Sequence, residues 1–239
     1  MGIGPGGEDD LTRRAARAIS EADLLVGYTT YLQLVQKMSC YHGQEMYTTG
    51  MTHEVDRVKY AAEAARRGLK VAVVSSGDAG VYGMAGLVLE VLEATGQVAQ
   101  LEIIPGIPAA NTAAALLGAP LMQDYATISL SDLLTPLPDI LKRVEAAAAA
   151  DFVIVLYNPR SNSRRDPWEQ AVAVLKKHRQ PNTPVGMVNK AGRAGESVKL
   201  TFLEQLDEHE PDMLTTVIVG NSRTRVKSGR MITPRGYLL

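Results

Sequence analysis

Four stretches of the chain gather residue types suited to holding a small molecule, and each lies at the end of an apolar run. The longest is Ser75-Ser76-Gly77-Asp78-Ala79-Gly80-Val81-Tyr82-Gly83. Gly77 and Gly80 let backbone approach a ligand closely, and Asp78 can cap a helix or accept a hydrogen bond. An ordinary strand-turn-helix junction has the same composition, so both readings stay open on local features. Pro105-Gly106-Ile107-Pro108-Ala109-Ala110 repeats the layout, with Pro108 where a first helical turn tolerates proline. The other two are Ile128-Ser129-Leu130-Ser131-Asp132 and Leu156-Tyr157-Asn158-Pro159-Arg160-Ser161. Asn158-Pro159 is a turn signal, and Arg160, Arg164 and Arg165 cluster beside it. Arginine grips carboxylates through paired hydrogen bonds, although such a cluster is also the usual look of a solvated charged face. Gly50-Met51-Thr52-His53-Glu54 with Arg57 is a further polar helix start. Asn189-Lys190-Ala191 and Thr215-Thr216-Val217 mark two more strand ends.

Other chemistries fit less well. Gly2-Ile3-Gly4-Pro5-Gly6-Gly7 invites comparison with a dinucleotide fingerprint, which needs a strand before it and an acid at the end of the next strand. Only Met1 precedes the glycines, Asp23 stands before its strand rather than after it, and Pro5 removes an amide that would cradle phosphate. A tight turn feeding the first helix explains the same glycines. Cys40, His42, His53 and Glu54 lack the paired spacing of zinc ligands, so no metal is expected. Cys40, His178 and His209 form no nucleophile–base pattern.

The elements that must position these loops follow from the alternation of Val/Ile/Leu runs with helical periodicity, which predicts α/β layers with largely parallel strands. Helices are expected over 9–20, 28–38, 52–67 with Thr52 as N-cap, 81–95 stopped by Gly96, 109–117, 139–149 and 168–177. Strands are expected over 24–26, 70–75, 101–104, 126–130, 152–157, 185–188 and 214–219. The Gly118-Ala119-Pro120-Leu121 stretch suggests a boundary between two domains, 1–120 and 121–239.

Composition narrows the class. Hydrophobic residues make up 46% and charged residues 21%, enough for a sizeable core, and a net charge of -1 gives no basic field for nucleic acid or an anionic membrane. No apolar run approaches the roughly 20 residues that span a bilayer. A single cysteine excludes an internal disulfide. These features fit a cytoplasmic enzyme acting on a small molecule, with neither nucleic acid nor membrane as partner.

Taken in order, the motifs resemble the tetrapyrrole (corrin/porphyrin) methylase family. The resemblance rests on Gly-Ile-Gly-Pro-Gly at 2–6, Gly-Asp-Ala-Gly-Val-Tyr-Gly at 77–83, Pro-Gly-Ile-Pro-Ala at 105–109, and the strand ends at Asn158, Ala191 and Thr216. It covers nearly the whole chain. Within the family the sequence is most similar to the precorrin-3B C(17)-methyltransferase branch, through residues 75–85, 128–136, 156–161, 218–222 and 232–237. Family members carry a full first strand before the Gly-Ile-Gly turn. Here Met1 alone precedes it, implying either an upstream start or a short sheet edge.

The resemblance implies two α/β domains with a ligand cleft between them, a homodimer, and S-adenosylmethionine as cofactor, leaving S-adenosylhomocysteine. Carried over by position, Ser76, Gly77, Asp78, Val81, Pro108, Ala109, Asn158, Ala191, Thr216 and Val217 would contact the cofactor. Gly4, Pro5 and Gly6 would face the macrocycle with Thr52, while Arg57, Arg160 and Arg164 would meet its acetate and propionate arms. The implied reaction methylates C(17) of precorrin-3B or cobalt-factor III and contracts the ring, for which Asp132, Ser131 and His53 are candidate proton-handling residues. A methylase acting at another corrinoid position or on uroporphyrinogen III, and a nucleotide-dependent oxidoreductase, are the alternatives.

Overall fold

The first helix begins where Thr12 turns its hydroxyl back to accept the Ala15 amide at 3.1 Å, satisfying one of the donors that every helix start leaves open. Helix α1 therefore runs Arg13–Glu21, later than the expected 9–20, and Glu8–Asp10 form a separate 3-10 turn. It is the first element of a computed structural model that describes residues 1–50, 53–97, 100–160, 166–206 and 211–238. The chain divides into two units, Met1–Ala109 and Ala110–Leu239.

In the first unit α1 is followed by β1 (Leu24–Tyr28), α2 (Thr29–Val35), β2 (Glu45–Thr49), α3 (Glu54–Arg66), β3 (Val71–Val74) and α4 (Ala85–Thr95). The sheet has the order β2-β1-β3 and is parallel throughout, so all three strands end on one edge. Alternation along β1 sends Leu25 to the face packed with Ile3, Ile19, Leu32 and Val74, and Leu24 and Val26 to the face packed with Ala61 and Ala64 of α3. Helices thus cover both faces of this small sheet.

Two expectations fail here. Residues 101–104 form no strand: Gly2 N donates to Ile104 O at 2.9 Å, the segment pairs with no strand among the described residues, and Leu101 and Ile103 are exposed. An apolar run without a ladder partner stays irregular. Helix α4 starts at Ala85 rather than Val81, because residues 79–84 are a turn in which the Met84 amide bonds to Ser75 Oγ at 3.0 Å and Tyr82 adopts φ +53°. Its end is as expected, at Gly96 with φ +60°.

The second unit takes in α5 (Ala109–Leu117) from its second residue, then β4 (Gly118–Ala119), β5 (Tyr125–Ser129), α6 (Leu137–Ala149), β6 (Val153–Tyr157) and α7 (Asp166–His178). It closes with β7 (Pro184–Asn189), β8 (Ser197–Phe202), β9 (Thr215–Val219), β10 (Arg225–Lys227) and β11 (Arg230–Ile232). Helix α5 belongs here because Ala113, Ala114 and Leu117 pack against Val153, Val155, Val188 and Ile218. The division therefore precedes the 118–121 stretch chosen from sequence.

The main sheet has the order β5-β6-β9-β7-β8. Among neighbouring strands only the β5–β6 pair is parallel; β9 is antiparallel to both β6 and β7, and β8 is antiparallel to β7. The expectation of largely parallel strands is thus corrected for this unit. The reversal has a geometric consequence: the start of β9 lies beside the ends of β6 and β7, with Val217 opposite Leu156 and Thr216 opposite Val188. Among the described residues no helix is long and apolar enough to cross a membrane.

Candidate functional site

In the first unit, three glycine-containing loops meet at the edge where the parallel strands end. Gly77 N donates to Gly4 O at 2.7 Å, Gly4 N donates back to Gly77 O at 3.1 Å, and Ile3 N donates to Ser75 O at 2.9 Å. Gly106 completes the group. A Cβ built on Gly2 would stand 2.3 Å from Gly77 O, and one built on Gly106 would stand 2.2 Å from the same atom. Both lie far inside contact distance, so the three backbones approach this closely only because neither position carries a side chain. The opening glycines therefore join the 75–77 strand end instead of running directly into a helix as a dinucleotide loop does.

Asp78 fastens the arrangement. Its Oδ1 accepts the Gly80 amide at 2.7 Å and its Oδ2 accepts the Gly106 amide at 2.9 Å, tying residues 75–80 to residues 105–109 through one carboxylate. Charge-assisted bonds of this kind are about twice as strong as neutral ones. Ser76, Pro108 and Ala109 are half-buried around this bracket, Val81 is exposed and Gly77 is buried. No lysine or arginine occurs in 75–80 or 105–109, and Asp78 is their only acid.

In the second unit, antiparallel β9 gathers the other loops. Asn158 follows β6 with φ +52°, and its Nδ2 donates across to Ser129 Oγ on β5 at 3.0 Å; the Ser131 amide donates to the same hydroxyl at 3.2 Å. Lys190 follows β7 with φ +51° and leads into the buried Ala191. Thr216 and Val217 at the start of β9 are buried between these strands. Asn158, Ala191, Ser131 and Thr216 thus share one sheet edge. Nearby, Tyr157 Oη accepts the Ala110 amide at the start of α5, 2.8 Å away.

The remaining candidates have specific places. His53 is exposed at the start of α3, its Nδ1 3.3 Å from Asp56. Arg57 is buried and donates through Nε to Thr49 Oγ1 at 2.8 Å and through Nη2 to Gly50 O at 2.9 Å, so it holds the turn between β2 and α3. Arg160 is buried as well, which corrects the solvated-face reading of that arginine. Asp132 is half-buried, whereas Leu133 and Leu134 beyond it are fully open. Pro5 is buried, and Gly4 and Gly6 take φ values of +70° and +140°. Thr52 and Arg164 lie outside the described residues. Burial raises the Cys40 thiol above its usual range, as expected of a packing residue rather than a nucleophile. Sequence reasoning missed Tyr157 Oη and Asp212, whose bonds join segments far apart in the chain or depend on how β9 is ordered in the sheet.

Each of the two α/β units gathers ligand-type loops at one sheet edge around backbone amides and small residues, the layout of an α/β small-molecule site. Comparison with known proteins makes the assignment specific. The sequence profile of the Tetrapyrrole (Corrin/Porphyrin) Methylases matches residues 1–207. The chain is 52% identical to a cobalt-factor III methyltransferase of Priestia megaterium over 99% of its own length, and spans 44% of that longer protein. It is 48% identical to a probable cobalt-factor III C(17)-methyltransferase of Salmonella typhimurium, covering all of this chain and 98% of the relative. Among solved structures, the methyltransferase CobJ superposes with a TM-score of 0.91 at 36% identity, covering 98% of this chain and 97% of the other. A Thermus thermophilus uroporphyrin-III C-methyl transferase, solved in complex with S-adenyl homocysteine, shares the fold at a TM-score of 0.70 and 21% identity over 92% of this chain and 95% of that one. This chain belongs to the tetrapyrrole (corrin/porphyrin) methylase family.

Proposed function

We propose that the chain transfers a methyl group from S-adenosylmethionine to C(17) of a tetrapyrrole of cobalamin biosynthesis, cobalt-factor III or precorrin-3B. The substrate follows from the relatives' names, and the Salmonella protein matches over its full length. The loops support the cofactor. The observation that carries it is the Asp78 bracket, which fastens two loops, 75–80 and 105–109, built of backbone and small residues with one carboxylate and no lysine or arginine of their own. Such loops suit a neutral nucleoside attached to a positive sulfonium better than they suit a phosphate.

S-adenosylmethionine, when bound, supplies a methyl group already activated by its own sulfonium. The chain's task is therefore positioning, which can contribute up to roughly 7–11 kcal/mol to the barrier. Ser76, Gly77, Asp78, Val81, Pro108, Ala109, Asn158, Ala191, Thr216 and Val217 are the cofactor-binding residues of this reading. Gly4, Pro5, Gly6 and Thr52 face the macrocycle. Arg160 and Arg164 bind its carboxylate arms, and Arg57 acts at the same end by fixing the turn after β2. Ser131, Asp132 and His53 handle protons during the ring contraction coupled to methylation.

The test is an anaerobic incubation of the purified chain with S-adenosylmethionine and either cobalt-factor III or precorrin-3B. The expected product has gained one methyl, placed at C(17) by nuclear magnetic resonance. Methylation at another carbon would reassign the position within the family, and no transfer to either substrate would overturn the proposal.

A further inference from the structure

The second unit has an acid that plays the part Asp78 plays in the first. Asp212 lies just before β9, and its Oδ1 accepts three hydrogen bonds. These come from the Asn189 amide Nδ2 at 2.6 Å, the Leu214 backbone N–H at 2.8 Å and the Thr215 hydroxyl at 2.9 Å. The network closes on itself, because Asn189 Nδ2 also donates to Thr215 Oγ1 at 3.0 Å and the Asp212 amide donates to the same oxygen at 3.1 Å. Lys190 N then donates to Leu214 O at 3.0 Å.

These bonds extend the β7–β9 ladder, whose last pair is Asn189 opposite Thr215, to the turns beyond it. Asn189 is the last residue of β7, after which Lys190 takes a left-handed conformation that places Ala191. Thr215 is the first residue of β9 and fixes Thr216. Where β-branched or long side chains hold left-handed backbone, surrounding bonds must over-determine it. Leu214 O supplies such a bond for Lys190, and Asp212 holds Leu214 through its amide.

We infer that Asp212 is a positioning residue for the cofactor: by holding Leu214 against Lys190 it sets where Ala191 lies relative to the ladder-fixed Thr216, and through that placement the affinity for the adenosyl ligand. The inference rests on the methyltransferase reading above. Asp212 is exposed and not part of the core, so Asp212→Ala is expected to fold.

The experiment compares S-adenosylhomocysteine binding by the full chain and by Asp212→Ala and Asp212→Asn, with the KM for S-adenosylmethionine and kcat measured in parallel. Asp212→Ala is expected to weaken binding and raise KM about tenfold, while kcat changes by less than about twofold. Asp212→Asn keeps an acceptor oxygen and is expected to recover most of the affinity. A purely structural role would lower the melting temperature without this split between KM and kcat or this rescue. Equal binding by the wild type and Asp212→Ala overturns the inference while leaving the function standing. A wild-type chain that binds no S-adenosylhomocysteine overturns both.

Discussion

At the scale of single residues, the two carboxylate oxygens of Asp78 are both committed to backbone amides, Gly80 on one side and Gly106 on the other. The motif made Asp78 look like a ligand contact, and the geometry gives it a second task, holding two ligand loops in register. Replacing it by alanine leaves two amides without their acceptor and frees the loops from one another. Hydrogen bonds to a charged group contribute about 1.5–3 kcal/mol each, so Asp78→Ala is expected to weaken S-adenosylhomocysteine binding by at least about tenfold. Isothermal titration of the variant checks this, and unchanged affinity would show that the bracket does not shape the site. The arginines teach a related lesson. From sequence, Arg160 is as readable as a solvated charge as a ligand contact, because composition does not report burial; the structure buries both Arg160 and Arg57. For Arg57 the buried guanidinium is satisfied by Thr49 and Gly50, a use that only the turn's conformation reveals.

At the scale of elements, one cluster joins the start of β6, the end of α7 and the loop after β9. Asp151, in a left-handed turn with φ +60°, forms a salt bridge with Arg179 and accepts Ser222 N at 2.9 Å and Ser222 Oγ at 2.5 Å. Burial works to raise the Asp151 carboxyl, but the two bonds from Ser222 and the Arg179 charge outweigh it and leave it below the ordinary value. Burial also pulls the Arg179 guanidinium down against Asp151, yet an arginine stays charged throughout. A carboxylate lowered on folding adds stability above its unfolded value and loses it as pH falls through the folded one. Asp151→Asn should therefore melt below the wild type by a constant margin from about pH 8 to 5, and the margin should shrink below about pH 4. Thermal melts across that range test it; a margin that persists at low pH would mean that shape rather than charge holds the cluster.

Strong local patterns made most elements legible. The helix Ala109–Leu117 begins and ends where its alanine run and Gly118 predict. Strand β2 was not legible, because Glu-Met-Tyr-Thr-Thr carries only a half-buried mixed pattern, and edge strand β8 keeps little of its surface buried. Strand direction was not legible at all. Nothing in Thr215–Val219 says that it inserts antiparallel between β6 and β7, yet that insertion brings Thr216 to the edge shared by Asn158 and Ala191.

At the scale of the whole molecule, the family is secured by a profile covering residues 1–207 and by relatives matched from end to end. The loops marked by chemistry alone carry glycines that let backbones approach and, in 75–80 and 105–109, no lysine or arginine; Asp212, which fastens loops of the second unit, carried no such mark. What composition could not reveal is how a near-neutral chain divides its labour. The 75–80 and 105–109 loops carry no lysine or arginine, whereas Arg160 and Lys190 stand in the Asn158 and Ala191 loops. The central claim is that these loops hold an adenosyl ligand bearing a sulfur centre, and calorimetric titration with S-adenosylhomocysteine tests it most directly. The account predicts micromolar binding at about one site per chain, consistent with a ligand of that size held by several weak polar contacts. A folded chain that takes up no S-adenosylhomocysteine at saturating concentration would contradict it.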